Sequence, residues 1–161
     1  MDNINATTLS ATVTRPNNTD AYGIGDVIGT ASTSVLKFTG ASPLGAGLVI
    51  IGVSLQLSIA AVPSGMSNYR LHLYNAEPTA IADNAAFNLP SGDRAKYLGY
   101  ISIPVPEDLG DTIRVQNDDL AKFLKVTDSA GAIYGVIETR GAYTPAAQTV
   151  YTVTIDVLRQ S

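Results

Sequence analysis

Several side chains on which protein chemistry commonly depends are absent or scarce in this sequence. It contains no cysteine and no tryptophan, a single histidine, and only 15% charged residues among its 161 positions. Without cysteine the chain forms no disulfide and offers no thiolate to a metal or a substrate. Its sparse charge, with a net value of −4, argues against nucleic acid as a partner, because nucleic-acid binding requires basic patches that neutralise phosphates.

Long uninterrupted apolar runs are also missing. The longest, residues 44–62, is broken by glycine, serine and glutamine, and it alternates polar with apolar residues, unlike a membrane-spanning helix. The first ten residues show neither the basic nor the apolar region of a secretory signal. We therefore expect no membrane partner and no export signal, and a single domain, because a chain of this length can bury a core of its own.

The clearest feature that is present is a two-residue alternation of apolar and polar side chains, which is typical of half-buried β-strands. Turn-forming clusters rich in proline, glycine, asparagine and aspartate separate the alternating stretches. The sequence therefore predicts an all-β fold, an antiparallel, jelly-roll-like β-sandwich of about eight or nine strands. The predicted strands are residues 11–14, 35–38, 53–59, 69–74, 98–103, 112–115, 124–127, 132–138 and 151–157.

Two segments depart from the even spacing of strands and turns. Residues 75–97 are too many for a hairpin turn, so we expect one long ordered loop that packs through Ile81, Phe87 and Leu89, with a helical turn in "IADNAAF". Residues 1–10 are polar and lack a core stripe, which predicts an N-terminal arm ahead of a single β-sandwich domain at 11–161.

The stretch "YGIGDVIG" has glycines at positions 23, 25 and 29, a spacing close to that of a dinucleotide-binding loop. Such a loop follows a buried strand and opens a helix. Here a polar run with Pro16 precedes the glycines, and residues rich in β-branched side chains follow them. We therefore expect these glycines to serve turns and close chain approach around a strand that starts near Asp26.

Candidate catalytic and metal-binding residues are few. His72 alternates with Leu71 and Leu73, so it lies on the opposite face from them and is interpreted as a surface or interface histidine. The acids near predicted loops are interpreted as solvated; they are Glu107, Asp108, Asp111, Asp118 and Asp119. Asp83, Asn84 and Asp93 supply oxygen ligands of the kind calcium prefers, but they do not match an EF-hand loop. We therefore expect no catalytic residue, no metal and no cofactor, and hence no enzyme.

Eight tyrosines provide amphipathic anchors of the kind that protein interfaces favour. The strand at 132–138 is apolar on much of both faces, which predicts either packing against another subunit or a central position under a loop. We predict partner-binding roles for Tyr134 and Tyr143 and, in the N-terminal arm, for Asn3, Ile4 and Asn5.

Two segments carry a resemblance to a known class of proteins. Residues 14–29, "TRPNNTDAYGIGDVIG", combine T-R-P, A-Y and G-D-V-I, and residues 69–103 contain L-Y-N, P-T, D-N-A-A-F and Y-L-G in that order. In this combination the chain resembles small virion proteins of tailed bacteriophages. The resemblance implies a β-sandwich virion structural protein, a head decoration (cement) protein, and it carries over no catalytic residue.

The resemblance and the residues together define two expectations for function. In the first, a homotrimer made in the host bacterial cytoplasm binds the major capsid protein on the outer surface of the virion and stabilises the shell. In the second, the chain is a carbohydrate- or receptor-binding module of a tail or fibre, for which Tyr97, Tyr100 and Tyr143 are the candidate sugar platforms.

Overall fold

A computed structural model describes residues 4–160 of the chain, which form two antiparallel β-sheets packed face to face. The first sheet has the strand order β1-β11-β4-β8-β7, with β9 also paired to β4, and the second has the order β2-β10-β5-β6, with β3 also paired to β10. The strands are β1 (Ile4–Thr14), β2 (Val27–Ile28), β3 (Leu36–Phe38), β4 (Gly47–Leu57), β5 (Tyr69–Tyr74), β6 (Tyr97–Ile103), β7 (Glu107–Asp108), β8 (Ile113–Asn117), β9 (Lys122–Lys125), β10 (Ile133–Thr139) and β11 (Val150–Gln160).

The predicted all-β sandwich is confirmed, and each of the nine predicted strands overlaps an observed one. Two further strands, β2 and β7, are only two residues long. β2 matches the strand expected near Asp26, whereas β7 is too short for an alternation to be visible in the sequence. The one helix in the described part of the chain is a single 3₁₀ turn at Ser91–Asp93. No described helix has the length and apolar character needed to span a membrane.

The main core lies between the two sheets and is built by the two-residue alternation. Val53, Leu55 and Leu57 of β4 point inward, as do Tyr151, Val153 and Ile155 of the neighbouring β11, and each is almost completely buried. From the second sheet, Leu71 and Ile137 meet them as part of one apolar cluster. Each fully buried side chain of this size contributes roughly 1.5–3 kcal/mol.

A second, smaller apolar cluster lies on the other side of the second sheet, where residues 75–97 cover it. Val27, Tyr74, Tyr134 and Val136 are buried there, and Ile81, Phe87 and Leu89 of the covering loop pack against them. The predicted loop packing is thus confirmed. The predicted helical turn is replaced by a tight turn at Asp83 and Asn84, where Asn84 has a φ of 61°, a conformation that asparagine tolerates better than most residues.

β1 occupies most of the segment expected to be an arm. Ile4 to Ser10 continue the strand and pair with β11 in an unbroken register that runs from Ile4 opposite Gln160 to Thr14 opposite Val150. Hydroxyl groups link the two strands on their outer face, with Ser10 and Thr154 oxygens 2.8 Å apart. The arm is therefore an edge strand over these residues. Residues 1–3, which include Asn3, lie outside the described residues.

Candidate functional site

Arg15, the residue that follows β1, is completely buried with all its polar contacts inside the protein. Its Nε donates to the Tyr22 hydroxyl at 2.9 Å, and its guanidinium also donates to the backbone oxygens of Asn18 and Ala146. A carboxylate oxygen of Asp83 lies 3.3 Å from Nη2. Burial by itself lowers the pKa of Arg15, but its contacts with Tyr22 and Asp83 outweigh burial and raise that pKa. The buried charge is therefore held by its partners.

Asp83 completes this buried group, which we call the Arg15–Asp83 joint (Arg15, Tyr22, Gly29 and Asp83). Its Oδ1 accepts from the Tyr22 hydroxyl at 2.6 Å and from the backbone N–H of Gly29 at 2.9 Å. The carboxylate thereby ties the covering loop to the segment between β1 and β2. Burial also raises the pKa of Tyr22 far above its usual range, so its hydroxyl stays protonated and donates to Asp83.

The joint unites the two segments on which the resemblance to virion proteins rests. Backbone bonds run between them from Val27 N–H to Ala85 oxygen at 2.9 Å and from Phe87 N–H to Gly25 oxygen at 2.8 Å. T-R-P and A-Y supply Arg15 and Tyr22 of the joint, and D-N-A-A-F supplies Asp83. The quoted motifs are therefore parts of one structural unit, although residues 29 and 69 are forty positions apart in the sequence.

The glycines of "YGIGDVIG" have the structural roles that the sequence predicts. Gly25 has a φ of +96°, which only glycine adopts without strain. At Gly29 a β-carbon would lie 2.7 Å from the backbone oxygen of Thr33, so the chains approach too closely for any side chain. The next element after these glycines is the strand β3 and not a helix, and β2 starts at Val27. The interpretation as turns beside a strand is confirmed.

His72 lies on the outer face of the second sheet but is buried beneath the covering loop. Its ring stacks on Phe87 with the centroids 3.7 Å apart. Nε2 lies 2.7 Å from the Glu138 carboxylate and Nδ1 lies 2.9 Å from the Tyr97 hydroxyl. Arg140 donates to the other oxygen of Glu138 at 2.6 Å. The interpretation of His72 as a surface residue is wrong, because residues 75–97 fold back over the face to which it points.

The contacts of His72 fit a neutral imidazole. Nε2–H donates to Glu138, and Nδ1 accepts from the Tyr97 hydroxyl, so one proton satisfies both nitrogens. Burial lowers the pKa of His72, and the positive charges of Arg70 and Arg140 act in the same direction, while Glu138 opposes them. Both ring nitrogens of His72 are therefore engaged by side chains inside the protein.

We expect mild acid to destabilise the protein through His72. Because its pKa is lower in the folded chain than the ordinary 6.5, the unfolded chain binds a proton first as the pH falls below that value. Stability should then decline by up to about 1.4 kcal/mol per pH unit, and the decline should stop below the folded-state pKa. Urea titrations between pH 8 and pH 4 would measure this, with His72→Gln lacking the decline. A stability that rises as the pH falls from 8 to 4 would contradict the expectation. It would mean that the attraction of Glu138 for the protonated imidazole outweighs the effect of burial on the pKa of His72.

Two of the tyrosines predicted to bind a partner are buried inside the chain. The Tyr143 hydroxyl lies 2.9 Å from both the Tyr69 and the Tyr151 hydroxyl, in a chain of three buried phenols. Burial raises the pKa of Tyr151 to about 12. Tyr134 is 5% exposed, because the covered face of β10 is sealed by the protein's own loop. Neither Tyr134 nor Tyr143 therefore presents a surface to a partner, and β10 takes the second of its two expected positions, central and under a loop.

The tyrosines suggested as sugar platforms do not form one. Tyr143 is buried, and the hydroxyl of Tyr97 is engaged with His72. Tyr100 is exposed, but the Arg70 guanidinium lies over its ring at 4.4 Å. Of the three rings, Tyr143 is buried, Tyr97 is half-buried, and the exposed Tyr100 ring is partly covered by the Arg70 guanidinium.

The carboxylates considered for calcium serve different contacts. Asp83 belongs to the Arg15–Asp83 joint, whereas Asp93 accepts from the Thr79 N–H at 2.7 Å and from Lys96 at 2.9 Å. Among residues 4–160, no group of three or more acids and histidine is placed to hold a metal ion. Asp118 and Asp119 are exposed, and the carboxylates of Asp118 and Asp156 both lie beside Gly52.

The outer face of the first sheet and the edge of β1 are among the accessible surfaces of the described residues. Hydroxyl side chains dominate the β1 and β11 part of that face, where Thr8 donates to Asp156 at 2.6 Å. Asn5, one of the predicted partner-binding residues, is exposed at the start of this edge, and Ile4 pairs through its backbone with Gln160. Large apolar side chains are exposed in addition at Ile24, Leu44, Val105, Leu109 and Phe123.

Sequence alternation already contains one signal for the buried charges. Leu9, Ala11 and Val13 of β1 point into the protein, and Arg15 continues the same odd-numbered series, so period two places it inside. The same rule puts Glu138 on one face with Tyr134 and Val136. The partners of these two residues were not visible, because Tyr22 and Asp83 lie in irregular segments and the contact between His72 of β5 and Glu138 has no local signal in the sequence.

Comparison with known proteins returned matches only among solved structures. No family model matches this chain, and no curated protein does. The capsid of Ralstonia phage GP4 is 13% identical over 97% of this chain and 84% of that chain, with a TM-score of 0.42. A solved structure of Desmodium yellow mottle tymovirus is 10% identical over 100% of this chain and 89% of that chain, with a TM-score of 0.38. A CBM6 module of the laminarinase LamC from Zobellia galactanivorans is 12% identical over 98% of this chain and 99% of that chain, with a TM-score of 0.30. TM-scores and identities this low carry no conclusion about function.

Proposed function

We propose that this chain is a structural protein of a bacteriophage virion and, more narrowly, a head decoration protein that binds the major capsid protein. The observation that carries the proposal is the Arg15–Asp83 joint. The motifs that resemble tailed-phage virion proteins meet there in one buried unit whose members are hydrogen-bonded to one another. The resemblance therefore concerns a feature that determines the fold and not isolated residues.

The accessible surface suits attachment and does not suit catalysis. The buried side chains of His72, Glu138, Arg15, Asp83 and Asp93 are each paired with an oppositely charged or hydrogen-bonding side chain of the protein. The outer face around Ser10 and Thr154 offers hydroxyl groups, and Phe123 and Leu109 offer exposed apolar area. Contacts of both kinds bind a repeating shell weakly at each copy, and many copies acting together bind it firmly.

Within this proposal the chain acts as a homotrimer on the outer surface of the virion head, after synthesis in the host cytoplasm. A trimer matches the threefold and quasi-threefold positions of a shell. Asn3, Ile4 and Asn5 are proposed as contacts to the shell; of these, Asn5 has an exposed side chain at the β1 edge.

Electron microscopy of virions at subunit resolution tests the proposal. We expect density for the sandwich on the outside of the head at threefold or quasi-threefold positions, touching the major capsid protein. A virion lacking the chain should retain its shell but lose it at a lower temperature or lower osmotic stress. Density at the tail tip and none on the head would contradict the decoration role and favour the receptor-binding alternative. Absence of the chain from virions would reject a virion role altogether.

A further inference from the structure

The edge strand β1 lacks the features by which proteins usually protect a free sheet edge. Natural edges are kept from pairing by charged side chains, proline, bulges or shortness. β1 has eleven residues, "INATTLSATVT", with no charge and no proline, and it pairs with β11 without a register shift. One side of this long, regular strand is thus paired, and its other side is open to a further strand.

The backbone groups available on that side can be assigned. Arg15 N–H donates to Thr149 oxygen at 3.1 Å, which marks this pair as hydrogen-bonded in the antiparallel ladder. Bonded pairs alternate along such a ladder, so the odd-numbered residues of β1 bond to β11. The even-numbered residues therefore direct their N–H and C=O groups outward. The exposed side chains of the same residues, including Thr8, Ser10 and Thr12, lie on the outer face of the sheet.

The other sheet edges in the described part of the chain do not match β1. β6 carries Gly99 at a φ of +90°, and its pairing with β5 shifts register between His72 and Tyr74. β7 and β2 have two residues each and β3 has three. No other sheet edge among residues 4–160 equals β1 in length and regularity. The edge that matches it is therefore β1 of another copy of the chain.

We propose that β1 is a homotypic docking strand, which pairs antiparallel with β1 of a second copy across a twofold axis. The contact joins two six-stranded sheets into one continuous sheet. With the axis near Leu9, Thr8 faces Ser10 of the second copy, so hydroxyl meets hydroxyl, and no like charges oppose each other because the strand has none. The proposal does not depend on the virion role. Pairing through β1 doubles the mass of the unit that the chain otherwise forms, whether that unit is a monomer or a trimer.

Disulfide trapping tests the contact directly, because the chain has no cysteine of its own. In the variant Thr8→Cys/Ser10→Cys, consider a twofold axis that passes through Leu9 or through the residue on either side of it. Each such axis places an introduced cysteine of one copy opposite an introduced cysteine of the other, in a hydrogen-bonded pair of the ladder. Their Cα atoms are then about 5.5 Å apart, within disulfide range. We expect rapid, near-complete crosslinking of the folded protein under mild oxidation. The matched control, Thr152→Cys/Thr154→Cys, places cysteines on the same face of β11, one strand inward, and should crosslink only slowly.

Light scattering on the wild type and Ser10→Pro provides the second test. Proline at Ser10 removes an outward N–H and leaves the β11 ladder intact, so we expect the mass to fall to half with the melting temperature nearly unchanged. Should this variant fold poorly, Ser10→Lys serves instead, since it brings two positive charges together near the axis. Crosslinking no faster than in the control, an odd number of chains in the wild type, or an unchanged mass in the folded variants would each overturn the proposal. Virion density showing a strand of another protein on β1 would assign the edge to that protein.

Discussion

Asp83→Ala should lower the free energy of unfolding by roughly 3–5 kcal/mol, enough to unfold a marginally stable domain. The substitution leaves the Arg15 guanidinium buried without its counter-charge, and it also removes the acceptor of Tyr22 and of the Gly29 N–H. Burial of an uncompensated charge is among the largest penalties available to a single substitution. Urea denaturation followed by circular dichroism would measure the change.

Asp20→Ala is the matched control, since it removes an acid of the same type from an exposed position between Arg15 and Tyr22. We expect a change below about 0.5 kcal/mol there. The double variant Arg15→Met/Asp83→Asn should recover part of the loss, because it removes the orphaned charge and keeps an oxygen near Tyr22. A loss at Asp83 no greater than at Asp20, or a double variant no more stable than Asp83→Ala, would show that the joint does not carry the energy assigned to it.

Gly65→Ala should cost roughly 2–5 kcal/mol, the sum of backbone strain and overpacking. Gly65 has a φ of +86°, and a β-carbon there would lie 2.2 Å from the backbone oxygen of Ala142. That oxygen belongs to the segment after β10 that carries Tyr143 into the buried chain of phenols. Neither backbone segment can move aside without disturbing those hydrogen bonds, so thermal melting should show a large decrease in midpoint.

Gly45→Ala separates the two causes. Gly45 has nearly the same φ, +83°, but a β-carbon there meets nothing within 4 Å. We expect only the strain, roughly 1–2 kcal/mol. Equal losses at the two positions would mean that the approach of Gly65 to Ala142 relaxes freely, contrary to the prediction.

The strands were predictable because their signal is local. The alternation in "YRLHLY" gives β5 at the bounds observed, and the faces of Leu71 and His72 follow from parity alone. The arm was mispredicted because a threonine- and serine-rich edge strand has a weak apolar face; among residues 5–14 only Leu9 and Val13 are buried. β1 is a strand because β11, almost the whole chain away, pairs with it.

The environments of the site residues were not predictable, because they depend on a loop. Parity puts Tyr134 and His72 on the outer face of the second sheet, where a sequence argument expects solvent or another subunit. Residues 75–97 cover that face instead, with Phe87 stacked on His72. An irregular segment has no periodic pattern that predicts which face it covers. The sequence therefore did not show that Tyr134, predicted to bind a partner, is a core residue of the protein itself.

The position of β11 sets the order in which the first sheet can form. β11 follows the other strands of the described residues, yet it lies between β1 and β4, so neither strand has its neighbour on that side until β11 pairs. Pairings so distant along the chain form slowly. The first sheet therefore closes only when β11 has paired, and a chain without β11 lacks the strand that joins β1 to β4.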